Sequence, residues 1–178
     1  MKKIIPSILV ILLPYLYLIF SLLINKIQNT DLAVIIYLVM FFITIILLVT
    51  SVIGTSIIFS VNNIPLKSAI INFLTKLAYI PVHLLMLILF GAFMNPFLIA
   101  FLPVPIFLSI SFQILTGIVS LGTFIGSYKF KNCNLALSIL GCILSFFYII
   151  DIVMAIIILI VNIYKVIKKK HIKNSATI

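Results

Sequence analysis

The chain has no arginine, no glutamate and no tryptophan, and only two acidic residues, Asp31 and Asp151. Charged residues fill 8% of its 178 positions, where a soluble domain carries about 25%. That shortage excludes an ordinary soluble globular domain. A disordered chain is excluded by the opposite property, because 65% of the residues are hydrophobic. The lack of glutamate removes glutamate-dependent membrane proteases. No phosphate-binding glycine loop occurs, and no His, Cys and acidic residues fall at the spacing of a metal site. Ser, His and Asp are all present, but in no arrangement that argues for a nucleophilic triad. The sequence therefore reads as a protein that is not an enzyme and uses no cofactor or metal. Cysteine is also scarce. Cys133 and Cys142, placed on one helix, would stand about 13 Å apart, too far for a disulfide.

What the chain has in excess is long apolar runs. Backbone polar groups cannot face lipid unpaired, so such runs form helices or closed barrels, and barrel strands would alternate in polarity. These runs are apolar all round. A spanning helix needs about 20 residues, which allows about four to six spans, and about five are read along the chain. The expected fold is all-α, a polytopic helical membrane bundle forming one integral membrane domain over 1–178. Its spans fall near 4–24, 32–59, 69–94, 106–127 and 135–163, followed by a basic tail at 165–178. The start, Met1-Lys2-Lys3 before an apolar run, looks like a signal peptide. The run exceeds the usual length of about 7–15 residues and no cleavage site follows, so it reads as a retained first span. Leu66–Leu77 is amphipathic and predicts an interfacial helix before the third span. Asn95-Pro96 and Pro103-Val104-Pro105 bracket an apolar connector.

The formal charge of +10 comes entirely from lysine. The lysines stand at the ends of apolar runs, where they anchor helices to anionic head groups rather than to nucleic acid. With five spans and an inside N-terminus, six lysines fall on each side, so the positive-inside rule does not decide the orientation. Isoleucine occurs 39 times and lysine is the only strong base, a skew typical of AT-rich coding sequences. The expected location is a bacterial cytoplasmic membrane.

Asp151 is the most informative residue, because a charged Asp at a helix centre costs about 2.5–3.5 kcal/mol to insert. It must face the bundle, find a partner or stay protonated. Tyr148 and Asn162 share its side of a helical wheel. His83 is the natural partner to consider, at similar depth in the third span if the third and fifth spans run the same way, although a bond from His83 to a backbone carbonyl is the favoured alternative. A polar stripe leads to it through Ser68, Asn72, Thr75, Lys76 and Tyr79 at helical spacing. The lysines of that stripe read as snorkelling to the interface. The fourth span carries a second stripe, Ser109, Gln113, Thr116, Ser120 and Thr123, in which the Gln113 amide needs partners. The candidate polar site is thus Asp151, His83, Gln113, Tyr148 and Asn72. Gly122 and Gly126, with Gly117 near, and Gly141 with Ser145 mark small faces for close helix packing.

Two functions fit these residues, the first being the preferred reading and the second its alternative. One is a non-catalytic accessory, regulatory or immunity-type partner of another membrane protein, with a homo-oligomer as a variant. The other is a small transporter, channel or solute-binding subunit built on the polar residues around Asp151 and His83.

Overall fold

In a computed structural model the described residues are 5–24, 30–93 and 103–175, and all their regular structure is helical. The helices are α1 (Ile5–Ile24), α2 (Thr30–Val61), α3 (Pro65–Phe93), α4 (Pro103–Lys129), α5 (Leu135–Leu144) and α6 (Tyr148–Ser175). Among the described residues four segments are long and apolar enough to cross a membrane: Leu38–Val61, Pro65–Leu85, Ser109–Lys129 and Ile149–Lys169. The apolar segments Ile5–Leu16 and Leu135–Leu144 are shorter. The turn expected at 25–29 and most of the connector expected at 95–105 lie outside the described residues; Pro103 to Pro105 open α4.

The chain divides into two compact units, 1–55 and 56–178. In the first, Pro6 of α1 stands beside Gly54 of α2. The second holds the last turns of α2 and helices α3 to α6. Its helix directions follow from side-chain pairs. Asn72 and His83 of α3 meet Ser120 and Ser109 of α4, so these helices are antiparallel. Asp151 of α6 lies beside Ser120, and Asn162 beside Ser127, so α6 runs parallel to α4. Ser138 of α5 donates to the Phe124 carbonyl, and the Ser145 carbonyl at the far end of α5 accepts from Gln113. Helix α5 is therefore antiparallel to α4 and climbs only to the middle of it.

The single fifth span expected over 135–163 is thus corrected to a helical hairpin. Helices α5 and α6 are separated by Ser145–Phe147, and the chain reverses there. The Ser145 hydroxyl donates to the Gly141 carbonyl at 2.6 Å, closing α5. The Phe146 and Phe147 amides bond only three residues back, to Ile143 and Leu144. Gly117 leaves room on α4 for the Ser145 carbonyl and the Phe146 ring, which a Cβ would meet at 3.1 and 2.9 Å. No proline or glycine marks the break, so hydropathy alone reads through it.

The interfacial helix before the third span is also corrected. Pro65–Phe93 is one continuous helix, with Pro65 at its start, where a missing amide costs nothing, and Pro81 inside it. The stripe read as interfacial faces inward: Ser68, Asn72, Thr75 and Lys76 are all buried. Its polarity is matched by α4 and α6, as described below.

Close packing uses the small residues. A Cβ at Gly122 would collide with the Ser56 backbone, and one at Gly126 with the Phe59 carbonyl oxygen. The GxxxG face of α4 therefore seats the end of α2. Gly141 of α5 lies against the Phe124 ring in the same way. At the opposite end of α5, Asn134 caps the helix by accepting the Leu137 amide at 2.9 Å. Lys131 takes a left-handed φ of 59°, which ends α4 and lets the Asn132 amide reach the Ser127 carbonyl at 2.8 Å.

Gly126→Leu is expected to force α2 and α4 apart and to lower stability by about 1–3 kcal/mol, read as a drop in the unfolding midpoint in detergent. The hairpin has its own test. In a background lacking Cys133 and Cys142, Lys129→Cys and Ser175→Cys are expected to react with an impermeant maleimide from the same side of the membrane. Reaction from opposite sides would restore the continuous span.

Candidate functional site

Halfway along α4, three helices bring polar side chains to one point. Asp151 stands in the first turn of α6, immediately after the reversal, and is 1% exposed. Its Oδ2 forms an ion pair with Lys76 Nζ of α3, and both side chains are almost fully enclosed. Gln113 Nε2 of α4 donates to Asp151 Oδ2 at 3.3 Å and to the Ser145 carbonyl at 3.3 Å. Gln113 thus ties the carboxylate and the hairpin turn to α4. Ser120 Oγ lies 3.2 Å from Asp151 Oδ1 and 3.0 Å from Asn72 Oδ1.

Ser120 has one hydroxyl proton and two acceptors in reach, and a carboxylate is the stronger acceptor. Donation to Asp151 leaves Asn72 to turn its amide nitrogen toward the Ser120 oxygen, since the two ends of an amide are interchangeable in shape. In either orientation one end of the buried Asn72 amide has no partner among the described residues. Lys76 is similar: its ammonium carries three donors, and its contact is the Asp151 carboxylate.

Beside this pair is a pocket lined by Lys76, Tyr79, His83, Gln113, Thr116 and Asp151. Its interior of about 10 Å³ suits roughly one water molecule. His83 stands at its edge, with Nδ1 3.4 Å from the Ser109 hydroxyl. Tyr79 is buried with its ring edge against Phe112, the centroids 5.8 Å apart. Groups of three or more potential metal ligands are absent among the described residues.

A second polar node lies toward the end of α4. Asn162 Nδ2 donates to Ser127 Oγ at 3.1 Å and to the Ile158 carbonyl at 2.9 Å, while its Oδ1 accepts from Asn132 at 2.8 Å. Lys169 Nζ reaches Asn132 Oδ1 at 3.4 Å. This node fixes the loop after α4 to α6 and is internally satisfied.

Of the residues singled out in the sequence, Asp151, Gln113 and Asn72 come together, with His83 across the pocket. The direct pairing of Asp151 with His83 is corrected: the ionic partner is Lys76. Helices α3 and α6 run antiparallel, which places residue 76, and not 83, at the level of residue 151. Tyr148 opens α6, and its side chain lies outside the described residues. Asn162 belongs to the second node. The glycines and Ser145 all serve packing inside the second unit. Sequence reading missed the roles of Lys76, Ser120 and Asn132. A signal for Lys76 existed: along with Asp151, it stands away from the ends of the apolar stretches.

A buried ion pair is costly to break and cheap to replace as a unit. Lys76→Met alone is expected to destabilise the protein by about 3–5 kcal/mol, and Lys76→Met/Asp151→Leu to recover most of that loss, both measured by denaturant unfolding in detergent. Equal losses in the single and double variants would show that the pair does not couple the helices. Set against protein-family models, characterised proteins and solved structures, the chain matches none.

Proposed function

We propose that this chain is a small multi-pass membrane protein of transport type, handling an ion or small solute at the site formed by Asp151, Lys76 and Gln113. The observation that carries this reading is the position of the ion pair at the tip of a broken helical hairpin. Irregular backbone at membrane depth is stable only where protein buries it or a water-filled cavity receives it. Interrupted helices meeting near the bilayer midplane are the usual construction of solute and ion sites in transporters. Here the reversal at Ser145–Phe147 supplies a backbone carbonyl, and α6 supplies a carboxylate in its first turn. The helix ends supply the complementary polarity.

The hairpin also changes the charge balance across the membrane. Lys129 ends α4 and Lys131 follows it, Lys67 lies near the start of α3, and Lys165, Lys168 and Lys169 lie toward the end of α6. The hairpin puts these helix ends on one side of the second unit. The positive-inside rule then favours a cytoplasmic position for that end, against anionic head groups.

The second reading, a non-catalytic partner of another membrane protein, draws support from the hairpin tip. Phe147 is 56% exposed and Ile149 74% exposed there, a surface that another helix can cover. Reconstitution decides between the two. Proteoliposomes tested with protons, alkali cations and small zwitterions are expected to show a flux that falls to the empty-vesicle rate in Asp151→Asn. Absence of every flux, together with recovery of the chain in a stable complex with another membrane protein, would replace the transport reading with the second.

A further inference from the structure

Resting on the transport reading, we propose that the species exchanged at this site is the proton, bound and released on Asp151 with Lys76 as the counter-charge that protonation sets free. Three observations point to it. First, the place beside the carboxylate where a metal cation would sit is filled by the Lys76 ammonium. A second cation there would stand against that charge in a medium that screens poorly. A proton needs no such place. Second, the adjoining pocket suits roughly one water, which is too small for an organic solute but sufficient to bring a proton to Oδ2. Third, among the described residues the polar groups are left incompletely paired: the Lys76 ammonium has donors to spare, and one end of the Asn72 amide has no partner. Such groups give the ammonium and the water alternative partners once the carboxylate is neutral.

The titratable groups facing the pocket are Lys76, Tyr79 and His83 from α3 and Asp151 from α6; α4 contributes the neutral Gln113 and Thr116. A hydrated proton entering the pocket forms an O–H bond on Asp151 and leaves its water behind. The ion pair becomes a neutral carboxylic acid and a free ammonium, and the site changes from zero net charge to +1. Release reverses the step. Protonation therefore loosens the only ionic tie found between α3 and α6 among the described residues. His83, which lines the pocket next to Ser109, is placed to pass protons between a water in the pocket and the other end of the bundle.

The sequence makes the test unusually clean. Asp31 and Asp151 are the sole side-chain carboxyls in the chain, so Asp31→Asn leaves one. Infrared difference spectra of the full-length Asp31→Asn protein in lipid are recorded between neutral and acidic pH. A protonated-carboxyl band is expected to appear with acidification and, in Asp31→Asn/Asp151→Asn, to fall to the contribution of the terminal carboxyl. Both proteins are also reconstituted with a pH-sensitive dye inside. Proton flux under an imposed gradient is expected to exceed the empty-vesicle rate several-fold, to be lost with Asp151→Asn and to be slowed with His83→Gln. A carboxyl band that does not change with pH, or alkali-cation flux that depends on Asp151 without proton flux, overturns the proton assignment; the latter leaves the transport reading standing. A titrating band with no flux of any species keeps the proton site and overturns the transport reading.

Discussion

The second unit is organised by the Lys76–Asp151 ion pair. An isolated charge in an apolar interior is prohibitively expensive, and two opposite charges there are tolerable only in contact. That requirement fixes the relative depth of α3 and α6, because residue 76 and residue 151 must meet. It also fixes the hairpin, because Asp151 reaches this level only if the chain turns back at Ser145–Phe147. Gln113 joins the two demands, donating both to the carboxylate and to the Ser145 carbonyl at the turn.

Small residues make this arrangement physically possible. Close helix approach in lipid depends on shape rather than on a hydrophobic driving force, since lipid is as apolar as the side chains. Gly117 admits the turn between α5 and α6, Gly141 admits the Phe124 ring, and Gly122 with Gly126 admits the end of α2. The result is a unit with many polar groups inside and many large apolar side chains outside. Ile149, Leu140, Ile143 and Phe147 are exposed while Ser120, Asn72 and Asn162 are fully buried. This inversion of the soluble-protein pattern is what a lipid solvent favours. It agrees with the four segments long and apolar enough to span.

A polar file also runs along α4. Ser109, Gln113, Thr116, Ser120, Thr123 and Ser127 recur every three or four residues, and the last four are buried. Ser127 meets Asn162, Ser120 meets Asn72 and Asp151, and Ser109 meets His83. One helix face thus serves as the common wall against which α3 and α6 each place their polar residues. Thr116 and Thr123 instead bond back to carbonyls of their own helix, so the file is a series of separate contacts rather than one continuous chain of hydrogen bonds.

Apolar composition settled the helical character, because the cost of exposed backbone polar groups acts locally. The stripes on α3 and α4, the glycine faces and the isolation of Asp151 were likewise legible, each being a matter of residue type at helical spacing. The tertiary structure decided what those faces meet. Residues 135–163 contain no proline and read as one apolar helix, yet they break, because the space over Gly117 and the Gln113 amide reward a carbonyl placed there. Lys76 read as a snorkelling anchor, since the sequence holds no record of an acid 75 residues away that would draw it inward. Partner choice for a buried charge is a long-range matter of helix direction and depth, and neither is encoded in the local pattern of any single helix.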